Sequence, residues 1–159
     1  MSESLFLSSI LLVTTGSNRV RHWLSMCCPH LEVIDCAGLS RRMLFDLVSA
    51  SCASLLLVYR CPYLLPPCSY ACRPLGAYNI HPSLLPMYAG LNPWEAMRAR
   101  DETRGGITIH RLSPMADAGE VVLQQAFLLD FTLGLEANRE QADRIAVRLV
   151  KLLLYFLQF

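Results

Sequence analysis

Ser8-Ser9-Ile10-Leu11-Leu12-Val13-Thr14-Thr15, broken by Gly16-Ser17-Asn18 and continued by Arg19 to Cys27, is the stretch that sets the fold. Its first part is an unbroken apolar, β-branched run, the pattern of a strand covered on both faces. The Gly-Ser-Asn break is turn chemistry, and Val20, Trp23 and Leu24 then recur at helical spacing. Strand, tight turn and helix in that order make the first half of a βα unit. The pattern returns: Glu32 to Cys36 predicts a second strand, Ser40 to Ser49 a helix with Leu44, Leu47 and Val48 turned inward, and Ala53 to Tyr59 a third strand. Alternation of this kind argues for an α/β fold, a Rossmann-like, doubly wound and mostly parallel sheet.

Beyond Tyr59, prolines at 62, 66, 67 and 74 forbid a long helix and leave a loop with a short helix around Pro67 to Ala71. Ala77 to Ile80 reads as the next strand. Asn92 is a suitable cap and Pro93 a suitable first residue for a helix running to about Ala99, with Glu95 favoured in its first turn. Gly105-Gly106 reads as the turn into a strand from Ile107 to Leu112, Ser113 to Gly119 as loop, and Glu120 to Ala126 as the last strand. One long helix is predicted from about Leu135 to Phe159, with Ile145, Leu149, Leu152, Leu153 and Phe156 spaced to pack on the sheet.

The 159 residues fit one domain, expected to span 1–159, since domains run to roughly 100–200 residues. Hydrophobic residues are 53% and charged residues 17%, yet no run reaches the roughly 18 apolar residues of a membrane helix. Leu5 to Thr15 has the apolarity of a signal-peptide core. The preceding Ser2-Glu3-Ser4 is acidic rather than basic and no small-residue cleavage site follows, so the stretch reads as a buried first strand. A net charge of +1 gives no electrostatic footprint for nucleic acid. The 7 cysteines, at 27, 28, 36, 52, 61, 68 and 72, have neither the even count of a disulfide framework nor zinc-ligand spacing. They read as small buried hydrophobes in a reducing compartment. The expectation is a cytoplasmic protein with no metal, no membrane and no nucleic-acid partner.

The chemistry lies in Asn79-Ile80-His81-Pro82-Ser83-Leu84-Leu85-Pro86, then Thr108-Ile109-His110, then Asp117-Ala118-Gly119. Asn79 and His81 are two apart, so on a strand they leave the same face. Pro82 and Pro86 end that strand in a stiff loop, and polar groups at strand exits are usual site material in open α/β sheets. Taken singly, an Asn-x-His is a common loop anchor and an Asp before Ala-Gly a common turn residue. Together they offer an amide, an imidazole and a carboxylate to one point.

The order and spacing of these segments resemble the formyltransferases that use 10-formyltetrahydrofolate, among them glycinamide ribonucleotide transformylase, methionyl-tRNA formyltransferase and the N-formyltransferases of amino sugars and peptide synthetases. The family hallmark is Asn-x-His-Pro-Ser-Leu-Leu-Pro, a following Gly, a Gly-[Val/Ile]-Thr-[Ile/Val]-His strand and Asp-x-Gly. Here these are Asn79 to Pro86, Gly90, Gly106 to His110, and Asp117 with Gly119. The resemblance is strongest from about Leu55 to Gln125. It implies a formyltransferase fold and transfer of a formyl group to a primary amine of a small metabolite, amino sugar or carrier-bound aminoacyl group. A hydrolase passing the formyl group to water, a glycinamide ribonucleotide transformylase and a non-catalytic folate-binding module are the competing readings.

Formyl transfer builds negative charge on the formyl oxygen in a tetrahedral intermediate, and preorganised donors stabilise it. The resemblance implies that Asn79 and His81 are those donors. Asp117 is expected to raise the imidazole pKa and to manage the proton of the attacking amine, with His110 bracing the site. Folate is expected against Tyr63, Leu64 and Leu65 and against Ser113, Met115 and Ala116. Arg60-Cys61-Pro62 departs from the family pattern, and Pro62 removes an amide that would serve the pterin. Substrate contacts are expected at Gly90 and Asn92, where Leu91-Asn92-Pro93-Trp94 replaces the Leu-His-Thr-His of the purine enzyme. They are expected also at Gly16, Ser17 and Asn18, the turn that holds the substrate phosphate in that enzyme and a place where helix-start amides bind anions. Neither the tRNA-binding nor the regulatory domain of some relatives is expected, and the apolar end from Leu152 to Phe159 reads as a homo-oligomer contact.

Overall fold

The computed structural model describes residues 9–159, so Ser8 and the Ser2-Glu3-Ser4 of the leader argument lie outside the described residues. In chain order the elements are β1 (Ile10–Thr14), α1 (Arg19–Cys27), β2 (Leu31–Asp35), α2 (Arg41–Ala50), β3 (Leu55–Tyr59), a 3-10 turn (Pro67–Ser69), β4 (Ala77–His81), α3 (Pro93–Ala99), β5 (Arg104–Arg111), β6 (Val121–Leu128), a second 3-10 turn (Phe131–Leu133) and α4 (Leu135–Phe156). The six strands form one sheet in the order β2-β1-β3-β4-β5-β6. The first four are parallel, and β5 and β6 are added antiparallel.

The apolar runs of β1 and β3 are buried throughout because each face of the sheet carries its own core. Ile10, Leu12, Leu55 and Leu57 pack with Val20 and Leu24 of α1 and with Ala142, Ala146 and Leu149 of α4. Their neighbours Leu11, Val13, Leu56 and Val58 pack with Leu44 and Val48 of α2. This two-sided cover is the doubly wound α/β arrangement the sequence predicts. None of the helices among the described residues is long and apolar enough to cross a membrane.

Several local expectations are corrected. Leu47 is exposed, because the buried stripe of α2 runs through Leu44 and Val48, one turn apart. Leu152 and Phe156 are exposed for the same reason: α4 turns Ala142, Ala146, Leu149, Val150 and Leu153 inward. Gly105 and Gly106 make no turn but lie buried inside β5. A Cβ on Gly106 would stand 2.2 Å from the Leu84 side chain and 2.9 Å from the Gln125 carbonyl oxygen, so the strand needs a residue without one. Asn92 has left-handed backbone angles and no side-chain capping bond. Of the cysteines only Cys36 is buried; Cys27, Cys52, Cys68 and Cys72 are exposed.

Candidate active site

β4 and β5 run side by side with Asn79 directly opposite His110 and His81 opposite Thr108. That register sets the Asn79 amide against one imidazole and leaves the other at the strand exit. The loop after β5 then returns Asp117 to both. It returns tightly: Arg111 N–H donates to the Glu120 carbonyl at 2.9 Å, and a Cβ on Gly119 would stand 1.8 Å from the Arg111 carbonyl oxygen. Only glycine permits that approach. Asp117 itself sits at φ 51°, a region that Asp tolerates better than most residues.

The Asp117 carboxylate is the hub. Its Oδ1 accepts from Asn79 Nδ2 at 3.2 Å and lies 3.3 Å from His110 Nε2. Its Oδ2 accepts the Gly90 N–H at 2.7 Å and lies 3.4 Å from His81 Nδ1. Burial works to raise the Asp117 pKa, but the His110 bond, the charge His81 carries once protonated in acid and the Gly90 N–H together outweigh it and hold the carboxyl below the usual carboxylate range. His110 Nδ1 lies 2.9 Å from the Arg111 carbonyl, and its Nε2 lies 3.1 Å from Asn79 Nδ2 as well as 3.3 Å from Asp117 Oδ1.

His81 differs from the expectation in two ways. Its Nε2 lies 2.9 Å from the Tyr88 carbonyl and therefore donates there, which leaves Nδ1, 3.4 Å from Asp117, as the unprotonated nitrogen of the neutral ring. Burial also drives the His81 pKa below its ordinary value and outweighs the upward pull of Asp117, so the ring is held neutral rather than charged. The loop that supplies the Tyr88 carbonyl is tied back by Ser83, whose hydroxyl donates to the Met87 carbonyl at 2.7 Å. Thr108 fastens it to β5: its hydroxyl donates to the Ser83 carbonyl at 2.7 Å and accepts from the Leu85 N–H at 3.2 Å and Gln124 Nε2 at 2.8 Å.

Two cavities meet at this cluster. One, of about 280 Å³, is lined by all six residues expected at folate, Tyr63, Leu64, Leu65, Ser113, Met115 and Ala116, together with Asn79, His81, His110 and Asp117. The other, of about 360 Å³, is lined by Gly90, Asn92 and Trp94 with Arg60 and Arg139. Asn79, His81, Cys61, Pro62, Gly90 and Leu91 belong to both walls.

Gly16 and Asn18 line neither cavity. Gly16 N–H donates to Asp35 Oδ1 at 3.1 Å, and Asn18 is spent on the fold, accepting from Arg21 N–H at 2.9 Å and donating to Thr14 Oγ1 at 2.8 Å. Ser17 lines a depression beside α4 with Arg60, Glu136, Arg139, Glu140 and Asp143. In the turn read as a phosphate cradle, the Gly16 N–H and the Asn18 side chain are thus bonded within the chain. The sequence reading missed the close approach at Gly119, the Tyr88 carbonyl against His81, and the placing of Arg60 and Arg139 on the wall of the second cavity. Gly119 was already in the motif, but the two arginines come from segments 79 residues apart and carry no local signal.

A family model described as formyl transferase matches residues 31–146. The methionyl-tRNA formyltransferase of Thermotoga sp. (strain RQ2) is 38% identical over 78 residues, covering 49% of this chain and 23% of the relative. That of Chlorobium chlorochromatii (strain CaD3) is 36% identical over 91 residues, covering 56% and 26%. The chain thus matches about a quarter of these relatives' length. Among solved structures, phosphoribosylglycinamide formyltransferase from Streptococcus pneumoniae TIGR4 superposes with TM-score 0.72 at 16% identity, covering 96% of this chain and 99% of that one. The formyltransferase PseJ from Anoxybacillus kamchatkensis, in complex with UDP-4,6-dideoxy-4-formamido-L-AltNAc and tetrahydrofolate, gives TM-score 0.72 at 21% identity, covering 95% and 77%. With the family model covering residues 31–146, which include every motif residue of the cluster around Asp117, the chain belongs to the formyl transferase family.

Proposed function

We propose that this chain transfers a formyl group from 10-formyltetrahydrofolate to a primary amine, with the donor in the 280 Å³ cavity and the amine arriving through the 360 Å³ one. The observation that carries this reading is the wall common to both cavities, formed by Asn79 and His81 with Asp117 behind them. The apolar side chains Val58, Leu64, Leu65, Leu112 and Met115 fit the flat ring of a folate, and Asn79 and Asp117 give it a polar end. The bound donor supplies a formyl carbonyl and a nitrogen leaving group. Family membership supports the reaction class, and the tetrahydrofolate in the PseJ structure supports the donor.

Asn79 Nδ2 donates to the formyl oxygen as negative charge grows on it, turning from its 3.1 Å contact with His110 Nε2 to the substrate. The attacking nitrogen forms its bond to the formyl carbon and loses a proton. Asp117, anionic because its pKa is lowered, receives that proton and shares it with His81 Nδ1 at 3.4 Å. Protonated in this way, His81 brings positive charge beside the oxyanion that Asn79 binds, and the pair then releases the proton to the departing nitrogen. His110 and the Gly90 N–H hold Asp117 in place throughout.

The test is loss of transfer in Asn79→Ala, His81→Ala and Asp117→Asn, each measured with the folate donor and an amine panel and each checked for folding by melting temperature. Asn79→Ala should lose about a hundred- to a thousandfold in kcat, the usual effect of removing one such donor. Undiminished turnover in all three folded variants would overturn the reading.

A further inference from the structure

We propose that Tyr88 is a positioning residue that decides which nitrogen of His81 carries the hydrogen, and that Glu102, just beyond α3, holds Tyr88 to that task. This deepens the formyl-transfer reading and rests on it. One short run of backbone grips the His81–Asp117 pair from both sides: the Tyr88 carbonyl accepts from His81 Nε2 at 2.9 Å, and the Gly90 N–H donates to Asp117 Oδ2 at 2.7 Å. Between these grips, His81 Nδ1 and Asp117 Oδ2 stand 3.4 Å apart. A neutral imidazole has one ring N–H. Because the Tyr88 carbonyl claims it, the gap towards Asp117 stays open for the proton that the attacking amine gives up. Without that carbonyl the hydrogen would move to Nδ1 and bond the carboxylate, the stronger acceptor, and the gap would be filled before the amine arrives. Asp117 and His110 are the ionisable groups whose charges reach the ring, and among the described residues the carbonyl at Nε2 is that of Tyr88.

The backbone that presents this carbonyl is held from outside. Tyr88 has φ 57°, a left-handed conformation that is rare for a bulky residue and persists only where the surroundings fix it. Its side chain provides the hold. The hydroxyl donates to Glu102 Oε1, and the Arg100 guanidinium lies over the ring at 5.5 Å. Both partners belong to the turn that ends α3, and that turn is itself fastened. The Arg100 and Glu102 N–H groups donate to the Met97 carbonyl at 3.2 and 3.1 Å, and the Met97 side chain is buried in the core. Contact therefore runs without a break from α3 through Glu102 and Tyr88 to His81. Glycine would take the left-handed angles more readily, so the grip of the side chain, not the turn, accounts for a tyrosine here.

Ring-nitrogen NMR of the full chain with isotope-labelled histidine reads the tautomer directly, the His81 signal being assigned by its loss in His81→Asn. At about pH 8, above the ordinary histidine pKa of about 6.5, wild type should carry the hydrogen on Nε2. Tyr88→Gly and Glu102→Ala should shift it towards Nδ1 and lower kcat by about ten- to a hundredfold, the scale of a small misplacement, with little change in KM for donor or amine. Glu102→Gln still accepts the hydroxyl and should recover most of both. Melting temperatures check that each variant is folded in the assay. An Nε2 hydrogen retained in Tyr88→Gly and Glu102→Ala, or a Glu102→Gln variant no better than Glu102→Ala, overturns the proposal. A tautomer that follows Tyr88 in a protein that transfers no formyl group to any amine upholds the positioning and removes the formyl-transfer reading beneath it.

Discussion

Burial and bonding at Asp117 and His81 push two pKa values the same way, and that has a consequence for stability. A histidine whose folded pKa lies below the ordinary value of about 6.5 refuses a proton that the unfolded chain accepts. Stability is therefore full above about pH 6.5 and falls as pH drops from there towards the folded value. Asp117, also lowered, stays ionised in the fold when the unfolded carboxyl takes a proton near pH 3.9, so a second loss follows at lower pH. The melting temperature should be flat from pH 8 to 7 and then decline in two steps. His81→Asn should flatten the first step, and an unchanged slope between pH 6.5 and 5 in that variant would refute the assignment. Gly119 is a separate residue-scale constraint. With a Cβ 1.8 Å from the Arg111 carbonyl, Gly119→Ala must move the very carbonyl that orients His110, so the variant should lose most transfer activity and melt lower than wild type.

At the scale of elements, the β4–β5 pair and the loop between them act as one clamp, and Thr108 is its pin. The side chain is fully buried and its hydroxyl serves the Ser83 carbonyl, the Leu85 N–H and Gln124. Thr108→Val keeps the shape but strands two backbone groups in the interior, a cost of about 1–3 kcal/mol for each group left unmet. With about 2–4 °C lost per kcal/mol for a chain of this size, the melting temperature should fall by several degrees. Transfer should fall with it, because the loop carries the Tyr88 carbonyl that holds His81. Thr108→Ser retains the bonds and should recover most of both; a Ser variant as damaged as the Val variant would show that the methyl packing, not the hydroxyl, matters. The same pair of strands marks what the sequence made legible. Continuous apolar runs revealed β1 and β3, and the two-residue spacing of Asn79 and His81 placed both on one face, because these are properties of short local segments. Gly105-Gly106 misled, since the reason for a glycine there is Leu84, a side chain from the far end of the preceding loop. His81 misled too: its neutral state follows from burial among segments distant in order, and no local pattern encodes that.

For the whole molecule, α4 is the element that closes the sheet and carries part of the second cavity. Asp143 ties it to the N–H of Arg19, to Tyr59 and to Arg60, and Arg139 projects one turn earlier towards Glu95. Its hold on the sheet comes from the buried stripe of Ala142, Ala146, Leu149, Val150 and Leu153. Leu149 is 3% exposed and Leu152, three residues on, is 41% exposed, so the same truncation at the two positions separates packing from surface. Leu149→Ala should cost about 2–5 kcal/mol, a large share of a typical total of about 5–15 kcal/mol, and lower the melting temperature by roughly 5–20 °C. Leu152→Ala should stay within about 0.5 kcal/mol of wild type if that face meets only solvent. The exposed neighbours Tyr155 and Phe156 offer the other outcome: if they pair two copies, wild-type stability rises with protein concentration and Leu152→Ala removes that dependence. Melting curves at two concentrations a hundredfold apart decide it, since a monomer gives the same midpoint at both.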